Sequence, residues 1–195
     1  DDIEMLTKVF HEEVPYSYIA DGHHRVSTGV LLNKSRKNTT AEFGDILTIY
    51  FNLEQLKIYD YNRVVSILKE VSPVKLMAKL SKYFKIKVLK EIRKPEHKHE
   101  IVLLIEQEVI SLKWKAKYLE NNGLDDVILD AELLNQFVFQ EIMKIRDVRT
   151  DSRIEYIGGQ NSLEEVHSSL LRNDYAIGFL LYPVQMEELK TLARQ

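Results

Sequence analysis

The chain has 195 residues, of which 45% are hydrophobic, and it carries 30 acidic against 27 basic side chains. A chain of this length and composition can bury a sizeable core, which favours one globular domain or two closely packed lobes over disorder. Cysteine is absent, so disulfides, thiolate metal sites and cysteine nucleophiles are excluded. The near balance of charge gives no general attraction to nucleic acid or to an anionic membrane.

No stretch approaches the roughly eighteen uninterrupted apolar residues of a membrane span, and the first residues lack the basic start of a signal peptide. We therefore expect a cytoplasmic protein without a membrane partner. Residue 1 is not methionine and begins a helical pattern, so we also expect a segment of a longer protein. Such a segment should be inactive alone, expose apolar surface and self-associate.

The first part of the chain alternates between helical and extended patterns. Helical spacing of apolar side chains predicts helices over residues 3–14 and 25–37. The apolar, aromatic residues 16–20 indicate a buried strand. Residues 45–52 and 56–61 are predicted to form a pair of strands.

From residue 63 onward the elements are longer. Helices are predicted over residues 63–71, 73–83, 129–145, 162–172 and 183–194, and strands over 84–92, 100–105, 109–114, 154–157 and 176–182. Pro73 is favourable at a first helical position, and Ser162 with Glu165 fits a capping box. The fold class is therefore α+β, with a mixed, largely antiparallel sheet and packed helices.

One segment is chemically specific, the polar run Asp21–Arg25 between a predicted strand and a predicted helix. A helix N-terminus presents unpaired backbone N–H groups and the positive end of the helix dipole, which attract anions. His23, His24 and Arg25 add donors, and the planar guanidinium matches phosphate oxygens. The segment therefore predicts a phosphate-binding turn; the alternative is a capped helix with surface histidines and arginine.

Neighbouring side chains extend this prediction. Ser27 and Thr28 lie within the first helical turn, where a hydroxyl can reach a phosphate or a metal-bound water. Asp21 can hold Mg²⁺ or orient a histidine, because carboxylates are the usual ligands of hard cations.

Residues 18–25 resemble the bacterial family catalogued as domain of unknown function 1015, and residues 56–65, 150–159 and 176–183 resemble further blocks of it. That family is distantly similar to the ParB, sulfiredoxin and archaeal free-serine kinase superfamily, in which a Gly-x-His-Arg turn opens a helix and binds nucleotide phosphates. The resemblance implies a ParB-like nucleotide-binding lobe over residues 1–72 and an α+β lobe over 73–195, or one continuous domain.

Carried over by position, the resemblance implies phosphate binding at Gly22, His23, His24 and Arg25. It implies a metal or acid–base role for Asp21, a catalytic role for His23, and Mg²⁺ with a nucleoside di- or triphosphate as cofactors. Sulfiredoxins carry their catalytic cysteine where this turn has His23, so sulfinic acid reduction is not implied.

Other candidates are weaker. Arg63 follows a polar break and either lines the site or is structural, with Asn62 as a helix cap. Arg153 and Glu155 share a strand face, so they bind substrate or form a solvated charge pair. His97 and His99 have metal-ligand spacing, but an exposed loop is favoured over a metal site.

Three functions compete. The first is an enzyme that transfers phosphate from a nucleotide to a small hydroxyl compound or to water. The second is a ParB-like nucleotide-switched module that binds DNA or a protein; the acidic balance and the lack of a basic recognition helix disfavour nucleic acid. The third is a non-catalytic structural lobe.

Overall fold

The computed structural model describes residues 1–35, 45–120 and 127–193, which divide into two compact units, residues 1–56 and 57–195. The first unit contains helix α1 (Asp2–Glu13), helix α2 (His23–Ser35) and a 3₁₀ turn (Leu53–Gln55). The side chain of Asp1 caps α1 by accepting a hydrogen bond from the backbone N–H of Ile3. The predicted α1 is confirmed, and α2 begins two residues earlier than predicted.

The strands predicted in the first unit are wrong. Residues 16–20 and 45–52 form no strand, and side chains such as Tyr16 and Ile19 are exposed. A strand needs a neighbour to pair its backbone N–H and C=O groups, and the described residues of this unit include no paired strand. Apolar composition alone therefore misled the prediction.

The second unit is built on one antiparallel sheet of six strands in the order β2-β4-β3-β6-β1-β5. The strands are β1 (Tyr61–Ser66), β2 (Phe84–Leu89), β3 (Glu100–Ile105), β4 (Glu108–Trp114), β5 (Ile154–Gly158) and β6 (Ala176–Leu181). The five strands predicted beyond residue 80 are confirmed. β1 belongs to this sheet as well, although the family resemblance groups all residues before 73 with the first lobe.

The helix predicted over residues 63–71 is wrong, because β1 occupies its first part. Arg63 lies opposite Phe179 of β6 on one side and Tyr156 of β5 on the other. Val64 and Val65 are both buried, one on each face of the sheet, so they lack the apolar–polar alternation of a half-buried strand. Val64 and Val65 therefore fit a helical period equally well. Asn62 is consequently no helix cap but a buried strand residue.

Four helical segments accompany the sheet. They are α3 (Pro73–Leu80), α4 (Asp130–Leu133) continued by a π-helix (Leu134–Gln140), α5 (Ser162–Leu171) and α6 (Met186–Leu192); a 3₁₀ turn (Ala116–Tyr118) follows β4. Pro73 stands at the first position of α3, as predicted. The last helix begins after Pro183, because Gln185 and Glu188 form its capping box.

The sheet buries apolar side chains on both faces. The larger cluster includes Phe84, Phe139 and Phe179, together with side chains of α3 and the π-helix. The smaller cluster lies on the other face, where Val166 of α5 packs near Leu180. Gly178 lets α5 approach closely, since a Cβ atom there would lie 2.9 Å from Val166 Cγ1. The predicted α+β class is confirmed.

Candidate functional site

The turn before α2 is a glycine turn that leads directly into the helix. Gly22 has φ +82°, a conformation that glycine adopts without steric cost. The helix begins at the next residue, His23, and the Val26 N–H donates to the Gly22 carbonyl at 3.0 Å. The N–H groups of the first helical residues therefore have no acceptor within the helix and remain available to an anion.

Arg25 folds back over this turn. A Cβ atom placed on Gly22 would lie 3.1 Å from Arg25 Nη2, and that nitrogen is 3.9 Å from Asp21 Oδ2. The side chains of Arg25 and Asp21 are 81% and 97% exposed. An exposed pair at this separation contributes little to stability.

The remaining predicted phosphate contacts are at the same place in the chain. His23, His24, Ser27 and Thr28 all belong to the first turns of α2 and are exposed. The structure thus brings all the predicted turn residues together on one helix start. The strand expected to lead into the turn is absent, so Asp21 is held by the turn and not by a sheet edge.

Arg63 is a buried cation on the sheet of the second unit. Its side chain lies near the rings of Tyr61 and Tyr156, with the guanidinium carbon 5.5 Å and 5.2 Å from their centroids. Its Nη1 donates to the Tyr61 carbonyl, whereas Nε is buried without a hydrogen-bond partner. Burial lowers the pKa of the guanidinium because desolvation disfavours the charged form.

A pocket of about 190 Å³ adjoins Arg63. Its polar lining includes Tyr59, Tyr61, Lys98, Asp130 and Glu188, and its apolar lining includes Leu129, Leu181 and Pro183. Asp130 accepts hydrogen bonds from the backbone N–H of His99 and lies 3.0 Å from its Nδ1. Lys98 forms an ion pair with Glu188. The sequence analysis missed this pocket, since its walls come from distant parts of the chain.

Arg153 and Glu155 have partners within the protein. Arg153 donates from Nε and Nη2 to Asp151, at 3.0 Å and 2.8 Å, and from Nη1 to Glu70 at 2.8 Å. Its side-chain and backbone hydrogen bonds lower the pKa of Asp151 to about 2. Glu155 accepts from Ser169 Oγ of α5. Glu155 lies opposite Val64 in the register, so it occupies the sheet face opposite to Arg63.

A second buried network surrounds Asp60, and the sequence analysis did not find it. Asp60 accepts from Ser162 Oγ at 2.6 Å, Asn62 Nδ2 at 2.7 Å and Lys94 Nζ at 3.0 Å. Burial raises the pKa of Asp60, but these bonds and the charge of Lys94 outweigh that effect and lower it. Ser162 is therefore not the predicted cap of α5; Asn161 holds the cap position. The sequence signal that could have revealed this network is the spacing Asp60-x-Asn62, two polar side chains beside an apolar strand.

Glu96, His97 and Glu100 place one ligand atom each within 4.8 Å of the others, the spacing of a metal site. Glu100, however, is fully buried and accepts from Arg93 Nη2 at 2.8 Å and from Ser111 Oγ at 2.5 Å. A cation would have to displace the guanidinium that already neutralises this carboxylate. His97 is exposed, as predicted for this loop, but the prediction is wrong for His99, which is half-buried against Asp130.

Comparisons with known proteins place the chain in a family. No curated protein and no solved structure gives a significant match. Within the part of the chain that the structure describes, no helix is long and apolar enough to cross a membrane. The family model described as "Protein of unknown function (DUF1015)" matches residues 1–136, which is more than half of the 195 residues. The chain belongs to the DUF1015 family.

Proposed function

We propose that the turn spanning residues 21–28 binds the phosphate groups of a nucleoside di- or triphosphate together with Mg²⁺. The single observation that carries the proposal is Gly22, whose φ of +82° directly precedes α2 and whose missing side chain leaves room for the Arg25 guanidinium. A phosphate bound there would accept bonds from backbone N–H groups and from Arg25 together, and charge-assisted bonds of this kind are strong.

Each polar side chain of the turn has a separate proposed role. Asp21 supplies an exposed carboxylate for Mg²⁺, and His23 is the group we assign to proton transfer. Ser27 and Thr28 supply hydroxyls for a phosphate oxygen or a metal-bound water. Phosphoryl transfer depends mostly on positioning and charge neutralisation. The proposed reaction is therefore the transfer of phosphate from the nucleotide to a small hydroxyl compound or to water.

The resemblance to the ParB, sulfiredoxin and free-serine kinase superfamily supports this proposal, because nucleotide phosphates bind at the equivalent turn there. It extends the proposal to a nucleotide-binding lobe around residues 21–28 in a cytoplasmic protein. The runner-up is a nucleotide-switched module that binds DNA or a protein. The net charge of −3 disfavours DNA as that partner.

Isothermal titration with ATP, ADP and CTP, each with and without Mg²⁺, tests the proposal. We expect binding that Mg²⁺ strengthens and that inorganic phosphate competes away. A panel of free amino acids and other small hydroxyl compounds, followed by product analysis, then separates a kinase from a hydrolase. Binding without turnover in the longer protein, accompanied by nucleotide-dependent DNA or protein binding, would favour the switch. The absence of binding by all three nucleotides would refute both.

A further inference from the structure

Arg63 is a buried charge without a counterion. The residue is 7% exposed, and among residues 1–35, 45–120 and 127–193 no carboxylate forms an ion pair with it. Its Nε is buried and makes no hydrogen bond. A buried cation with an unsatisfied donor costs free energy unless an anion or acceptor compensates it. Such a group therefore points to a ligand that supplies the missing acceptor.

The pocket beside Arg63 has a charge pattern that favours one negative charge. Two of its other lining charges, Lys98 and Glu188, pair with each other, and Asp130 is engaged by His99. Among the described lining cations, Arg63 therefore has no carboxylate partner, whereas Lys98 is paired with Glu188. A second negative charge on a ligand would meet Asp130 and Glu188 without a further cation to offset the repulsion. A monoanion fits this balance better than a phosphate dianion.

Nε is the nitrogen of the guanidinium that is buried without a hydrogen-bond partner. Nη1 is occupied by the Tyr61 carbonyl, so Nε and Nη2 form the edge that can donate two parallel bonds. Two parallel donors match the two oxygens of a carboxylate. The tyrosines at 59, 61 and 182 and the apolar side chains of Leu129, Leu181 and Pro183 can contact the body of the ligand.

We propose that this pocket binds the carboxylate of a small organic acid, with Arg63 as the anion-binding residue. The site lies entirely within the unit formed by residues 57–195, so the inference does not depend on nucleotide binding at residues 21–28. A pocket near 190 Å³ is smaller than the roughly 300–1,000 Å³ typical of drug-sized ligands. The acid is therefore small.

Stacking is the competing explanation for Arg63. The Tyr61 and Tyr156 rings are themselves stacked, with centroids 5.4 Å apart, and cation–π contacts with both rings stabilise the guanidinium. Stacking satisfies the face of the guanidinium but leaves the Nε–H without an acceptor. A purely structural arginine would give no response to an added acid, which separates the two explanations.

The test is an NMR titration of the intact chain with benzoate, acetate and inorganic phosphate, observed at the Arg63 Nε–H signal. We expect a saturable shift with benzoate in the millimolar range or below, a weaker effect with acetate because it lacks the ring, and the weakest effect with phosphate. Arg63→Gln should reduce benzoate affinity at least about tenfold. Arg153→Gln is the matched control, because Asp151 and Glu70 already occupy that guanidinium.

Three results would overturn the proposal: no saturable shift with any of the three anions, tighter binding of phosphate than of benzoate at this signal, or unchanged benzoate affinity in Arg63→Gln. If Arg63→Gln does not fold, Tyr182→Ala replaces it, since Tyr182 lines the pocket and the Arg63 guanidinium donates to Tyr61 instead. Its benzoate affinity should fall severalfold, and unchanged affinity would likewise refute the site.

Discussion

Ser162 donates a hydrogen bond from its hydroxyl to Asp60 Oδ2 at 2.6 Å, joining the first residue of α5 to the residue before β1. Both residues are buried, and Lys94 contacts both, at 3.0 Å to Asp60 and 3.3 Å to Ser162. Three distant segments therefore meet at one carboxylate, and its donors stabilise the ionised form in a place from which water is largely excluded.

The first prediction concerns this bond. Ser162→Ala should lower the free energy of unfolding by about 1–3 kcal/mol, because it leaves a buried carboxylate with one donor fewer. Urea denaturation measures the change. Ser168→Ala is the matched control, since Ser168 lies on the same helix and is exposed; it should change stability by less than about 0.5 kcal/mol. Equal effects of the two substitutions would contradict the buried-acceptor argument.

The second prediction concerns pH. Burial raises the pKa of Glu100, but bonds from Arg93, Ser111 and the Glu96 N–H outweigh it and lower the pKa from 4.5 to about 2. The stabilisation is therefore present above about pH 4.5 and is lost as pH falls from there towards 2, by roughly 3 kcal/mol at most. Unfolding free energies at about pH 6 and about pH 3 measure this loss.

Glu100→Gln should reduce the pH dependence of the free energy of unfolding. The difference in unfolding free energy between this variant and the natural chain should therefore narrow as the pH falls. Glu108→Gln serves as the control, because Glu108 is exposed on the neighbouring strand. It should follow the natural chain at every pH. A Glu100→Gln variant with the full natural slope would assign the acid sensitivity to other carboxylates.

The third prediction concerns Gly178. A Cβ atom there would lie 2.9 Å from Val166 Cγ1 and 3.3 Å from Leu170 Cδ1, so Gly178→Ala should overpack the α5 interface and cost about 1–3 kcal/mol. Adding Val166→Ala removes the closest atom. The two substitutions should then cost less together than the sum of each alone, as a double-mutant cycle measures. If the stability costs of the two substitutions are strictly additive, α5 does not pack against Gly178.

The fourth prediction tests the proposed phosphate contact. Arg25→Ala should weaken nucleotide binding about tenfold or more, since it removes a charge-assisted bond. Its melting temperature should barely change, because the side chain is 81% exposed. Lys34→Ala removes the same charge from the other end of α2 and is the control for general electrostatics. Unchanged nucleotide affinity together with a collapsed melting temperature would make Arg25 structural.

The fifth prediction concerns self-association. Leu47, Ile49 and Phe51 are 97%, 79% and 64% exposed, and neighbouring exposed apolar side chains favour association. Sedimentation velocity should show concentration-dependent association that the double substitution Leu47→Ser with Ile49→Ser reduces. Val74→Ser is the control, because Val74 is a comparably exposed apolar residue of α3. A monomer at all concentrations would contradict the prediction.

Local sequence determined those elements whose signals lie within a few residues. Pro73 set the start of α3, and the apolar runs of β3 and β4 predicted two strands, which the structure pairs with Ile101 opposite Leu112. The start of α2 next to Gly22 was also readable, because a glycine turn and a helix start depend on the backbone itself. These features could be predicted without knowing which residues pack against them.

Tertiary structure decided the rest. Residues 16–20 and 45–52 have strand-like composition but form no strand, whereas β1 is paired on both edges and lacks the alternation of a half-buried strand. The bonds that converge on Asp60 come from segments up to 102 residues away, and the environment of Arg63 includes Phe179 and Glu188, which lie farther still along the chain. Pairing, burial and charge balance arise only when such segments meet, because each depends on the atoms of another segment and not on neighbours in the chain.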